Sequence, residues 1–220
     1  MNSILPERLQ NLFGLTPLMS YVFIGLIAFI ILTGVFLKVN YFTAFLIFAS
    51  SFVVSKATNV IANGSDLVLN LFLFLSFFLT ARPGIKRFQQ EQLVIQNFAF
   101  LVCVIQVVVI YLISGLDKLT SQAWRSGDAI FSIVNLEFFF NPLISVSLSE
   151  TTCLLIAWIV ILFELSFAIL IWFKKTQDFL LAFGVLFHIG IAILLSLPDF
   201  GILMILLYSL FIQYPKKDNS

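Results

Sequence analysis

Long apolar runs and short polar breaks alternate along almost the whole chain. Seven runs stand out: Tyr21–Leu37, Tyr41–Val54, Asp66–Thr80, Leu93–Leu119, Thr151–Phe173, Phe179–Leu197 and Phe200–Tyr214. Each is near the roughly 20 residues a helix needs to cross a bilayer, and a helix satisfies its own backbone groups there. The breaks carry the turn and charge signals. Lys38 and Lys56 close the first two runs, and Asn59, Asn63 and Gly64 form a turn. Asp66 stands where a helix N-cap would. Ala81–Gln92 reads as a linker, Lys174–Asp178 as a tight turn, and Pro198-Asp199 as a helix break. Residues 120–149 are the longest polar connection, within which Asp128–Phe140 has the pattern of an amphipathic helix at the interface.

The expected fold is therefore all-α: a polytopic transmembrane bundle of about seven spans plus short interfacial helices. Residues 1–19 read as an interfacial lead-in, 20–215 as the bundle and 216–220 as a polar tail. The first long run begins after Glu7 and Arg8 with no small-residue cleavage site behind it, so a signal peptide is not expected. The clusters Arg82/Lys86/Arg87, Lys174/Lys175 and Lys216/Lys217 fall on one side of a seven-span arrangement, which the positive-inside rule makes cytoplasmic. The 120–149 connection then faces the other side.

Composition sharpens this picture. Of 220 residues, 61% are hydrophobic and 10% charged, with 27 Phe, and the mean hydropathy is +1.10. Soluble domains carry about 45–50% apolar and about 25% charged residues. The lipid bilayer is thus the expected partner, and the chain is expected to be an integral, multi-pass membrane protein. A net charge of +1 with no basic stripe argues against nucleic acid. Cys103 and Cys153 sit in apolar runs and read as small buried hydrophobes. A single His and no Cys/His cluster exclude a His-rich metal site.

Polar residues inside spans are costly, so each is either a fastener between helices or a functional group. Glu164 is nine residues from Phe173, and His188 is nine residues from Phe179. Both lie about 14 Å in from the same side. Their helices are joined by a tight turn, so the two side chains are expected to pair. As a buried fastener they would lock the helices; as a functional pair they would relay protons or orient a substrate. Gln106 falls at similar depth and could join them. At the other end, Lys56, Arg125 and Asp128 read as charges reaching water and Trp124 as an interfacial anchor. Lys118, three residues after Gly115 among apolar neighbours, is open to two readings: an ordinary loop-end charge, or a lysine withdrawn from water that serves as a base.

The run Tyr111-Leu-Ile-Ser-Gly115-Leu-Asp117-Lys118-Leu, followed by Trp124 and Gly127, resembles the HTTM domain, the membrane domain of the vitamin K-dependent gamma-carboxylase family and its small bacterial relatives. Phe138-Phe-Phe-Asn-Pro142, Leu148-Ser-Glu150, Glu164-Leu-Ser with Trp172-Phe, Phe187-His188 and Phe200-Gly201 extend the likeness in order, and Asn63-Gly64-Ser65-Asp66 is similar to a turn of the bacterial members. The match covers roughly residues 55–210. The resemblance implies that Lys118 is the base that deprotonates a quinone-like cofactor, a vitamin K-type hydroquinone, at the extracytoplasmic face. Glu164 and His188 would then shape the inner pocket as further catalytic candidates. Gln106, Gly115 and Trp124 become candidate cofactor-binding residues, and a bacterial plasma membrane is the implied location. The sequence also departs from the carboxylases. Asp117 stands where they have a second lysine, no histidine occurs in Ala57–Leu69, and the sequence ends at Ser220 without their large extramembrane domain.

Two functions follow as expectations. One is a quinone-linked redox or peptide-modifying membrane enzyme with Lys118 as base. The other, implied by the resemblance to small bacterial HTTM-type proteins, is a non-catalytic accessory protein for maturation or export of a secreted peptide, working with a separate soluble or membrane partner. A transporter is disfavoured by the few intramembrane charges and the absence of paired broken helices.

Overall fold

The computed structural model describes residues 42, 44–49, 51, 64–79, 89–135, 148–195 and 197–213. Described residues 44–49 are helical. Among the described residues eight helices follow: α1 (Gly64–Leu79), α2 (Gln89–Thr120), α3 (Gln122–Ser126), α4 (Asp128–Asn135), α5 (Glu150–Leu170), α6 (Lys174–Leu194), α7 (Pro198–Leu207) and α8 (Ser209–Gln213). Among the described residues there is no strand. The all-α expectation holds.

Among the described residues, three helices are long and apolar enough to cross a membrane: α2, α5 and α6. α5 and α6 have 21 residues each, about 32 Å at 1.5 Å per residue, which matches a hydrocarbon core of about 30 Å. α2 has 32 residues and is about 48 Å long. It exceeds the core, and its surplus is polar at both ends: Gln89–Glu91 and Asp117–Thr120. α1 and the α7–α8 pair are shorter apolar helices. Tyr21–Leu37, the lead-in 1–19, the tail 216–220 and the 58–63 turn lie outside the described residues, as do residues 41, 43, 50 and 52–54 of the Tyr41–Val54 run. The expected seven spans are thus represented here by three full-length spans and two shorter apolar elements.

The chain divides into two units, Met1–Cys103 and Val104–Ser220. In the first, Phe48 and Phe74 pack with ring centroids 5.7 Å apart, and Phe74 meets Phe78 edge-on at 5.4 Å. Asp66 is the third residue of α1 rather than the residue before it.

The second unit carries the site. α5 buries Cys153, Ala157, Val160, Ile161, Glu164, Phe167 and Ala168 along one face, while Leu155, Ile159, Leu162 and Ile169 point outward. This is the 3.6-residue period of a helix with one packed face and one face for lipid. Ser149 caps α5: its Oγ accepts from Thr152 N at 3.2 Å. The amphipathic helix expected over Asp128–Phe140 is present as α4, with 136–140 outside the described residues. Its buried Ile130 packs on Cys153 and Ala157, and Trp124, Val134, Leu148 and Ile156 surround that contact.

Gly127, between α3 and α4, has φ +88°, the region that favours glycine. A Cβ there would also lie 2.7 Å from Leu154 N, so both the corner and its fit against α5 depend on the missing side chain.

The turn between α5 and α6 is shorter than Lys174–Asp178 suggested. It occupies residues 171–173, and Lys174 already opens α6. The Thr176 hydroxyl, 2.6 Å from Leu170 O and 3.1 Å from Phe173 O, donates back to the end of α5. Three residues therefore suffice, and the charged ones ride on the first turn of α6, exposed at Lys174 and Lys175. Pro198 starts α7 at its first turn, where its missing N–H costs nothing. α7 then folds back on α6 closely enough that a Cβ on Gly201 would lie 2.6 Å from His188 O.

Candidate functional site

Tyr111, Ser114 and Lys118 occupy positions i, i+3 and i+7 of α2, one face of the helix. Ser114 and Lys118 both meet Glu164, and Tyr111 meets His188 and Tyr208. Side chains on a helix lean toward its N-terminus. Lys118 accordingly reaches back one turn, and its Nζ donates to Ser114 Oγ at 2.5 Å. That brings the ammonium to Glu164 of α5. Nζ donates to Oε2 at 2.9 Å and Oε1 at 3.0 Å, and Ser114 Oγ donates to Oε1 at 3.2 Å. The side chains are 16% and 8% exposed, so this is an ion pair largely out of water. Trp124 covers it, with Nζ 5.0 Å from its ring centroid, a cation–π distance.

Gly115 is what lets α2 and α5 meet here. A Cβ at that position would lie 2.9 Å from Leu165 Cδ2 and 3.2 Å from Glu164 Cβ. Gly115 thus belongs to the helix contact behind the ion pair and is not on the cavity wall.

A second polar chain lies one to two turns deeper. Tyr111 OH is 2.6 Å from His188 Nε2 and 2.5 Å from Tyr208 OH. Tyr111 stacks on Phe167 with centroids 4.1 Å apart, and Phe163 meets Phe183 at 4.8 Å and Phe187 at 5.3 Å. The hydroxyl chain is therefore set in an aromatic layer. Leu180, Gly184 and His188 form the buried stripe of α6, and the absent side chain of Gly184 makes room for the Tyr208 ring, whose hydroxyl a Cβ would strike. His188 is 2% exposed, and its Nδ1 has no hydrogen-bonding partner among the described residues. A buried polar atom left unpaired costs about 1–3 kcal/mol.

Both clusters open on one cavity of about 680 Å³, whose wall includes Tyr111, Ser114, Lys118, Trp124, Glu164 and His188. Most of the remaining wall is aliphatic or aromatic: Ile130, Val160, Leu186, Phe187, Phe200 and Met204 among others. A large apolar pocket with a few convergent polar groups is the usual form of a small-molecule site. Among the described residues no group of three or more His, Cys, Asp or Glu side chains is placed to hold a metal ion.

The expected pairing of Glu164 with His188 is not formed. Equal depth sets only the height of a side chain; rotation about the helix axis sets its direction. Glu164 turns to Lys118 and Ser114, and His188 turns to Tyr111. Lys118, Glu164, His188 and Trp124 do share the cavity, while Gln106 is half-buried and off its wall. Tyr111, Ser114, Tyr208 and Gly184 complete the arrangement and were not singled out from sequence. The Tyr-x-x-Ser-x-x-x-Lys spacing at 111–118 was the available signal for the first two.

Fold and site together define a helical membrane protein with a polar-centred pocket between its helices. The chain belongs to the HTTM-domain family, whose profile matches residues 6–215. It is similar to the sporulation-delaying protein SdpB of Bacillus subtilis (strain 168), with 32% identity over 107 residues, 46% of this chain and 33% of SdpB. The match therefore spans about a third of that relative's length. No solved structure matches the chain.

Proposed function

We propose that the cavity binds a lipid-soluble, quinone-like cofactor and that Lys118 acts on it as a base. The observation that carries this reading is the Lys118–Glu164–Ser114 cluster on the wall of an otherwise apolar pocket. The residues present fit such a group. Phe187, Phe200 and Met204 suit a flat apolar ring, and His188 offers a polar contact to an oxygen atom at its edge. When bound, the cofactor would supply the redox chemistry. The chain supplies the rest. Nζ would first pass a proton to Glu164, 2.9 Å away, and the neutral amine would then be free to accept one. Ser114 would hold Nζ in place, and Trp124 would shield it from water.

A second reading is supported by the likeness to a sporulation-delaying protein. In it the bundle is a non-catalytic accessory component for maturation or export of a secreted peptide, with a separate partner subunit. Complementation of a strain lacking this chain separates the two. The base reading expects Lys118→Ala and Lys118→Arg both to abolish function, because a guanidinium does not give up its proton at working pH. Retained function in Lys118→Arg contradicts the base role and favours the accessory reading, in which a charge partner for Glu164 is all that is needed.

A further inference from the structure

The hydrogen-bond chain through Tyr111 has a consequence for the group at its end. Two hydroxyl protons and two hydrogen bonds must be matched. If His188 Nε2 carried the ring proton, it would donate to Tyr111, Tyr111 would donate to Tyr208, and the Tyr208 proton would point at no acceptor, since Tyr111 is the hydrogen-bonding partner of its hydroxyl. The opposite direction uses both protons: Tyr208 donates to Tyr111, and Tyr111 donates to Nε2. An imidazole that accepts at Nε2 carries its proton on Nδ1. Nδ1–H is then a buried donor without an acceptor, on a residue of the cavity wall. Phe187 and Phe200 pack against this imidazole with centroids 5.2 Å and 5.7 Å away, and both line the cavity with it.

We infer that His188 is a ligand-recognition residue of this cavity, with Nδ1–H donating to the carbonyl oxygen of an uncharged, lipid-soluble ligand. The ligand must bring an acceptor, because the open position is a donor. It must be largely apolar, because the walls around the imidazole are phenyl and aliphatic. Its carbonyl is a distinct recognition point from the Lys118–Glu164 pair, whose donors already have acceptors in each other and in Ser114. Tyr111 and Tyr208 act as positioning residues: they fix which ring nitrogen carries the proton. This rests on the reading of the cavity as a ligand pocket but requires neither a quinone nor a basic Lys118.

The chain has one histidine, so ring-¹⁵N labelling of histidine gives a single imidazole, provided the purification tag contains none. The full chain in lipid nanodiscs is titrated with 2-acetylnaphthalene and with 2-isopropylnaphthalene, which match in shape and differ by the carbonyl oxygen. The expected result is a free protein with the proton on Nδ1. The ketone should move the Nδ1 resonance and bind roughly three- to tenfold more tightly than the hydrocarbon, the range one hydrogen bond supplies. Asn places its amide near the Nδ1 position and Gln near Nε2, so His188→Asn should keep the ketone preference and His188→Gln should lose it. A proton found on Nε2, equal binding of the two probes, binding of neither, or the reverse order of Asn and Gln overturns the inference. The wild-type spectra decide it even if a variant does not fold. Loss of ketone recognition with Lys118-dependent function intact removes this inference alone; ketone recognition with Lys118→Arg fully functional removes the base reading alone.

Discussion

Lys118 and Glu164 meet in a two-pronged ion pair, 2.9 Å and 3.0 Å, although they lie 46 residues apart and Lys118 stands near the end of its helix. The lysine is drawn inward, along its own helix and under Trp124, instead of outward to water. Removing one member leaves the other buried and uncompensated. Lys118→Met or Glu164→Leu alone should each destabilise the protein by about 3–5 kcal/mol. The double variant should lose clearly less than the sum, with a coupling of about 0.5–3 kcal/mol in thermal unfolding in detergent. Additive losses would show that the pair does not interact.

Tyr208 depends on Gly184 for its place. Gly184→Ala should cost about 1–3 kcal/mol through overpacking. Tyr208→Phe, which removes the hydroxyl and keeps the ring, should cost about 0.5–1.5 kcal/mol. In the Gly184→Ala background, Tyr208→Phe should cost nothing further, because the hydroxyl has already been displaced. Thermal unfolding of the four proteins checks this.

Gly127→Ala should destabilise by about 1–3 kcal/mol, since it combines a positive φ with a Cβ against the backbone of Leu154. Gly190→Ala is the control. Nothing lies within 4 Å of a Cβ there, so its replacement should be neutral or slightly stabilising through helix propensity.

The distribution of Lys and Arg predicts the sidedness of α5. A cysteine introduced at Glu150 should be labelled by an impermeant thiol reagent from outside the cell, and one at Lys175 only after the membrane is opened. Both sites are exposed, and the native Cys103 and Cys153 are buried and should stay unlabelled. Labelling in the reverse order would invert the topology.

The fold was legible where period and length agreed. Thr151–Phe173 and Phe179–Leu197 are close to α5 and α6, and Pro198 marks the start of α7. Lys118, Glu164 and His188, polar residues in or at the end of apolar runs, lie on the wall of one cavity. Their partners were not legible. Depth along a helix follows from counting residues, but the direction of a side chain depends on how neighbouring helices are rotated, and that is fixed by contacts such as Gly115 on Glu164 and Leu165. Tyr208 was hidden for the same reason: in a 10-residue apolar helix capped by a tyrosine, an ordinary interfacial anchor and a buried hydrogen-bonding group look alike.

If the cavity holds a quinone-like cofactor, the cofactor can be counted. The wild-type chain and Ile156→Trp, which fills part of the cavity wall, would be purified with native lipid and extracted, and quinone per chain measured by mass spectrometry. Quinone should approach one per chain in the wild type, and most of it should be lost in Ile156→Trp. Quinone at the level of the surrounding lipid in both proteins would contradict it.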